Sequence, residues 1–184
     1  MNKLLIEELL GRIASDDDMT AYEKLYHLLF PSLFSISFSI LQNKEASEEI
    51  VSDVFLKIWN SRQKLVQLDA VLMYIFRITK NAALTEQDRQ RKNKLVDISS
   101  VNDEVFLRFE DPEQKLISSE MQAGLNAAIH SLPPQCQTIF HLVKEEGLKY
   151  REVAEILDLS VNTVRNQLAI AVKKLYEQLS KNNF

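Results

Sequence analysis

Glycine and proline are scarce in this chain of 184 residues, which has Gly11, Gly124 and Gly147, and Pro31, Pro112, Pro133 and Pro134. With so few breakers and abundant Leu, Ile, Glu, Lys and Gln, it reads as mostly helix. The three isolated glycines form no phosphate-binding loop. Cysteine occurs once, as Cys136. That excludes a disulfide within the chain, argues against a thiolate-rich zinc site, and suits a reducing cytoplasm. His27, His130 and His141 share no ligand spacing, so neither metal nor cofactor is expected. No nucleophile–base pair stands out, which argues against an enzyme and leaves no catalytic residue to name. Long apolar runs are missing too. The longest, 28–41, is interrupted by Pro31 and four serines, short of the roughly 18–20 residues that span a bilayer. The first residues carry acids and few bases, unlike a secretory signal. Direct membrane insertion is not expected.

What is present is a globular composition, 46% hydrophobic, on a length that suits one large or two small domains. The net charge of −4 is the wrong sign for a simple nucleic-acid binder. Phosphate attraction is local, however, screened within about 10 Å, and the charges are segregated. Residues 45–53 hold Glu45, Glu48, Glu49 and Asp53 with no base, whereas 71–94 hold Arg77, Lys80, Arg89, Arg91, Lys92 and Lys94 against only Glu86 and Asp88. Two kinds of partner are implied.

Apolar spacing gives the elements. Acids 16–18 cap a helix starting near Thr20, which Pro31 is expected to interrupt; Leu33, Ile36, Phe38 and Leu41 continue as a second helix ended by Asn43. A third begins at Ser47, with Ile50, Val51, Val54, Phe55, Ile58 and Trp59 inward. Residues 60–69 read as a polar loop. Asp69 caps a long fourth helix that turns basic toward Lys94. The stretch 97–111 reads as a linker with one apolar patch at Val105, Phe106 and Leu107, and Pro112 opens a helix running to Ile129. A helix after Pro133 and Pro134 stops at Gly147. Residues 149–157 form a short amphipathic helix, Asp158 and Leu159 turn, and Ser160 caps a last helix with Val161, Val164, Leu168, Ala171 or Val172, and Leu175 inside.

Two short helices joined by a tight turn make a helix-turn-helix, or else an ordinary helical hairpin. Ser160 sets free N–H groups where a phosphate can sit. Asn162, Thr163, Arg165 and Asn166 then put hydrogen-bonding side chains in the turns that read base edges, Arg suiting guanine and Asn adenine. Lys173 follows on the same outward face.

The stretch LPPQCQTIFHLVKEEGLKYREVAEILDLSVNTVRNQLAIAVKKLYEQL closely resembles the C-terminal promoter-recognition domain of extracytoplasmic-function sigma factors. Upstream, AYEKLYHLLFPSLFSISFSILQNKEASEEIVSDVFLKIWNSRQKL and YIFRITKNAAL resemble their N-terminal domain. The resemblance spares only residues 1–15 and the linker. It implies an all-α protein of two small helical domains, 16–94 and 112–184, joined by 95–111. It implies core RNA polymerase and promoter DNA as partners, with an anti-sigma factor besides. On the helix 45–59, Glu49, Ile50, Ser52, Asp53 and Lys57 match the polymerase-docking positions, Ser52 standing where glutamine is usual. For the −10 element the matching residues are Asn60, Arg62, Gln63 and Lys64, where the family captures a flipped base, together with Arg77, Lys80 and Asn81. For the −35 element they are Ser160, Asn162, Thr163, Arg165, Asn166 and Lys173. Ala169 and Ile170 replace small polar or basic residues, so Ile170 reads as facing a partner rather than DNA. The competing interpretation is a stand-alone DNA-binding regulator, which would leave the acidic helix without a role.

Overall fold

The computed structural model describes residues 3–94, 127–129 and 131–181. Its elements are α1 (Lys3–Asp16), α2 (Met19–Leu41), α3 (Lys44–Leu65), α4 (Val71–Lys94), α5 (Pro134–Phe140) running into a π-helical turn (His141–Glu145), α6 (Tyr150–Leu157) and α7 (Val161–Lys181). No strand occurs among the described residues. The proposed linker 95–111, the apolar patch at Val105–Leu107 and most of the helix after Pro112 lie outside them.

Helix starts follow local side-chain chemistry. Asp18 Oδ1 accepts from the Ala21 N–H at 2.9 Å, Asn43 Oδ1 from Ala46 at 2.8 Å and Ser160 Oγ from Thr163 at 2.9 Å. The Ala21 N–H and the Arg12 guanidinium hold the Asp18 carboxyl below its ordinary value. Asn43 therefore opens α3 rather than ending the preceding helix; Gln42, left-handed at φ 52°, ends it.

Pro31 does not break α2, contrary to the sequence expectation. Proline removes one helical hydrogen bond and crowds the preceding turn, at about 3 kcal/mol. Against this, Leu25, Leu29, Leu33 and Ile36 are fully buried on both sides of it. Tyr26, Phe30, Phe34 and Phe38 also form an i, i+4 ring ladder across it, with centroids 5.4, 5.9 and 5.7 Å apart. Each such pair adds about 0.5–1.5 kcal/mol beyond burial. The resulting 23-residue helix is long and apolar enough to cross a bilayer. Its burial is that of a core helix, packed by α1, α3, α4 and α5.

Two further boundaries differ from expectation. α3 runs on to Leu65, so most of the supposed loop 60–69 is helix and only 66–70 turns. α4 begins at Val71, with the Ala70 carbonyl accepting its first bond from Tyr74. The N-terminal unit also includes α1, which lies before the stretch read as a domain. Ile6, Leu9, Leu10 and Ile13 are at most 2% exposed, against α2, α3 and α4. It is thus a four-helix unit, but with α2 as one helix and α1 as the added one.

In the C-terminal unit α5 and α6 pack on α7, and a satellite core of Ala128, Ile129, Leu132, Cys136, Ala171 and Leu175 closes its far end. Ala171, not Val172, faces inward. Gly147 stops the π turn at φ +71°, a left-handed conformation that glycine adopts without penalty. The two units are not separate. Ile139, Leu142, Val153 and Ile156 belong to the same continuous core as Leu33, Ile36, Ile75 and Phe76.

Candidate nucleic-acid interface

The helix-turn-helix is α6–α7. Val153, Ala154 and Ile156 turn inward from α6, and Val164, Leu168 and Ala171 from α7. Asp158 makes the turn at φ 53°, and the Leu159 N–H returns to the Ala154 carbonyl. Ser160 caps α7 and lies 2.8 Å from the Thr163 hydroxyl. Asn162, Arg165, Asn166 and Lys173 are exposed along one side of α7, and Thr163 is half-buried. Beside this face runs a shallow groove of about 550 Å³, lined by Lys144, Tyr150, Arg165, Val172, Lys173 and Tyr176. Its cations suit phosphate and its rings suit apolar contact. Val172 and Tyr176 of this lining are exposed, and so is Ile170 of α7, which the sequence resemblance turned toward a partner; Tyr176 was not singled out from the sequence.

The residues matched to the −10 element fall into two groups. Asn60, Arg62, Gln63 and Lys64 lie on the last turns of α3, not on a loop. Asn60, Gln63 and Lys64 are exposed. Arg62 is committed: its Nε lies 2.7 Å from Asp17 Oδ1, it donates to the Trp59 carbonyl at 2.9 Å, and its guanidinium sits 4.7 Å over the Trp59 ring. It braces the α1–α2 turn against α3. Arg77, Lys80 and Asn81 lie within two turns of α4. Asn81 is exposed, whereas Arg77 pairs with Glu155 and Lys80 with Asp158, both on the C-terminal unit. Only 7% of the Lys80 side chain is exposed. Further along α4, Arg89 chelates Glu86 at 2.7 and 3.1 Å, and Arg91 and Lys92 are exposed.

The acidic face of α3 is open. Glu49, Ser52, Asp53 and Lys57 are exposed, Ser52 donating to the Glu48 carbonyl at 2.9 Å. Ile50 is 7% exposed and belongs to the core beneath that face. Leu56, 58% exposed, lies two turns from Glu49 on the open side and was missed. Its position off the stripe of Val51, Val54, Phe55 and Ile58 is the available signal.

Cys136 is buried and donates to Gln167 Oε1 at 2.8 Å; burial raises its thiol pKa, the opposite of what a nucleophile needs. Among the described residues no cluster of His, Cys, Asp or Glu could hold a metal ion.

With this geometry in view, comparisons identify relatives. Residues 25–93 match the family model of sigma-70 region 2 and residues 123–175 that of sigma-70 region 4. α1 lies outside both. The chain is 32% identical over 127 residues to the ECF RNA polymerase sigma-E factor of Haemophilus influenzae, covering 65% of this chain and 67% of that protein. It is 25% identical over 165 residues to the ECF RNA polymerase sigma factor SigE of Mycolicibacterium smegmatis, covering 90% of this chain and 64% of that one. The chain thus spans about two thirds of the length of these two relatives. Among solved structures, the sigma factor RpoE in complex with the anti-sigma factor NepR from Bartonella quintana superposes with a TM-score of 0.60 at 20% identity, over 86% of this chain and 96% of that one. CnrH in complex with the cytosolic domain of CnrY gives 0.50 at 18% identity, over 96% and 98%.

Proposed function

The chain belongs to the extracytoplasmic-function group of sigma factors, which direct RNA polymerase to promoters, and from that premise we propose how its surfaces divide the work. The observation that carries the proposal is the joint occurrence of an open acidic helix face and an exposed helix-turn-helix on one chain matching regions 2 and 4 in order. The face of α3 formed by Glu49, Ser52, Asp53 and Lys57, with exposed Leu56 beside Lys57, docks on core polymerase. Asp53 supplies charge complementarity, Leu56 supplies desolvated area, and Ile50 supports the face from below. On α7, Asn162, Arg165 and Asn166 read base edges of the −35 element in the major groove, while Ser160, Thr163 and Lys173 hold phosphates. Lys80, Asn81 and Arg77 of α4 hold the unpaired −10 strand. Asn60 and Lys64 approach it from the end of α3, and Arg62 orders that end by its grip on Asp17 and Trp59.

Polymerase carries out the chemistry; this chain supplies selection and holds the open strand. It needs no cofactor for either task, and it works in the cytoplasm, where polymerase and DNA are. An anti-sigma factor is a further partner, as NepR is for the sigma factor RpoE in one of the solved complexes. The test is run-off transcription with core polymerase on a library of upstream DNA. Enrichment of paired −35 and −10 sequences that depends on this chain is expected. Sequence-specific duplex binding at physiological salt without polymerase, and no transcript with it, would instead establish the stand-alone regulator.

A further inference from the structure

The turn 66–70 hangs between two anchors, Leu65 at the end of α3 and Val71 at the start of α4, which are 2% and 3% exposed. The turn itself is exposed throughout, with Val66 and Leu68 at 45% and 41%. Its own bonds reach back into α3. The Gln67 N–H donates to the Lys64 carbonyl at 3.2 Å and the Leu68 N–H to the Leu65 carbonyl at 3.1 Å. Where the turn points therefore follows from how the last turns of α3 are seated. Asn60, Gln63 and Lys64 on those turns are exposed and seat nothing.

A chain of contacts from the start of the molecule does the seating. Tyr22 of α2 packs edge-on against Trp59 of α3 with ring centroids 5.2 Å apart, and its hydroxyl donates to the Phe55 carbonyl at 3.1 Å. The Arg62 guanidinium lies 4.7 Å over the Trp59 ring, with Nη2 and Nε 2.6 and 2.7 Å from Asp17 Oδ1. Asp17 forms the α1–α2 turn in the left-handed region, at φ 50°, where aspartate is tolerated better than most residues. Next to it Asp18 is gripped by Arg12 of α1 through Nε and Nη2, at 3.0 and 2.6 Å, while capping α2. The α1–α2 turn is thus tied to α1 by Arg12 and to the end of α3 by Arg62.

An exposed ion pair alone contributes little. Arg62 differs in engaging a carboxylate, a backbone carbonyl and a ring at once, with its side chain 22% exposed. Its planar fork suits that combination, and a lysine would not. Asp17 also neutralises Arg62 and would itself repel a phosphate strand, so the pair is poorly suited to contact one. Arg12, Asp17, Asp18 and Tyr22 all precede residue 25, where the region 2 match begins.

We propose that the α1–α2 turn sets selectivity at the −10 element without touching DNA. Asp17 clamps Arg62 onto Trp59, which fixes the end of α3 and the angle at which Asn60, Lys64 and the turn 66–70 meet the unpaired strand. Arg62 is a positioning residue here, not a contact. This rests on the sigma-factor reading of that surface.

The test compares wild-type holoenzyme with holoenzymes carrying Asp17→Asn, Arg62→Gln and the two together. Glu8→Gln, which removes one exposed charge elsewhere on α1, is the control. Asparagine also tolerates the left-handed region and keeps an acceptor oxygen, so Asp17→Asn leaves the turn folded and weakens only the clamp. The readout is the ratio of run-off transcript from the preferred −10 sequence to that from single-base −10 variants, with the same ratio measured at −35. Both single variants should lower the −10 ratio about fivefold, within the coupling expected of residues in one network. The double variant should lower it no further, and the −35 ratio should stay unchanged. If Arg62 instead holds a phosphate, Arg62→Gln lowers output from every promoter and Asp17→Asn, which frees the cation, raises it. That pattern, additive losses, or a −10 ratio equal to that of Glu8→Gln overturns the proposal. An equal fall at −10 and −35 overturns it too, because a purely structural role weakens both alike. Wild-type transcription with no selective effect in the variants sinks the positioning role alone, and absence of wild-type transcripts sinks the sigma reading itself.

Discussion

Replacing Ile13 by alanine tests whether α1 is part of the folded unit, although it lies outside both matched regions. Ile13 is fully buried, with Ile6, Leu9 and Leu10 beside it at 2% exposure or less. The substitution deletes three carbons. At about 0.8 kcal/mol per buried methylene, the transfer loss is roughly 2.4 kcal/mol. The unfilled cavity brings the total to about 3–4 kcal/mol, within the usual range for such truncations. Ile13→Val deletes one carbon and should cost about 1 kcal/mol. Leu4→Ala on the same helix, where Leu4 is 74% exposed, should stay within about 0.5 kcal/mol. The assay is urea unfolding followed by circular dichroism. With a slope near 2 kcal/mol per molar, the midpoint should fall by about 1.5–2 M for Ile13→Ala and about 0.5 M for Ile13→Val. It should hardly move for Leu4→Ala. If Ile13→Ala moved the midpoint no further than Leu4→Ala, α1 would not be packed on the domain and the reasoning would be wrong.

Asp53→Arg should weaken co-elution with core polymerase by about tenfold, equivalent to ~1.4 kcal/mol, because a like charge then meets a complementary patch; unchanged affinity in a folded variant removes Asp53 from that surface. Arg165→Ala should alter promoter choice at one or two −35 positions by about 1–3 kcal/mol of discrimination, whereas Lys173→Ala should weaken all promoters alike. Run-off transcription on single-base −35 variants distinguishes the two, and a uniform loss for Arg165→Ala would reassign it to phosphate. Burial raises the Glu146 carboxyl above its ordinary 4.5, with the Ser32 hydrogen bond opposing. The folded chain therefore binds this proton more readily than the unfolded chain. The resulting stability is fully present below 4.5 and is lost as pH rises through the raised folded value. Glu146→Gln should accordingly raise Tm at pH 8 relative to wild type, with the gap narrowing at pH 5; a gap independent of pH would refute a buried ionised carboxylate.

Much of this protein is determined within single turns of chain. Caps at Asp18, Asn43 and Ser160 act on N–H groups three residues away. Inward stripes such as Val164, Leu168, Ala171 and Leu175 recur at helical spacing. The αL turn at Asp158 sits between two of these stripes. Short-range order of this kind survives in the sequence as pattern, so the all-α class, the helix-turn-helix and the outward row of Asn162, Arg165 and Asn166 were legible there. The ends of elements under tertiary control were not. Pro31 signals a break, and only burial on both sides and the ring ladder of α2 hold the helix through it. Residues 60–65 are polar enough for a loop, yet Arg62 stacked on Trp59 and paired with Asp17 keeps them helical. Buried Ile50 matched a docking position although it belongs to the core stripe. The pairing of Arg77 with Glu155 and Lys80 with Asp158 had no local trace at all. Its partners stand 78 residues apart, and an exposed acid on α6 reads the same whether it faces water or another helix. Which charges are covered and which are free is a property of how α5 and α6 seat on α2 and α4, and only the packed core decides that.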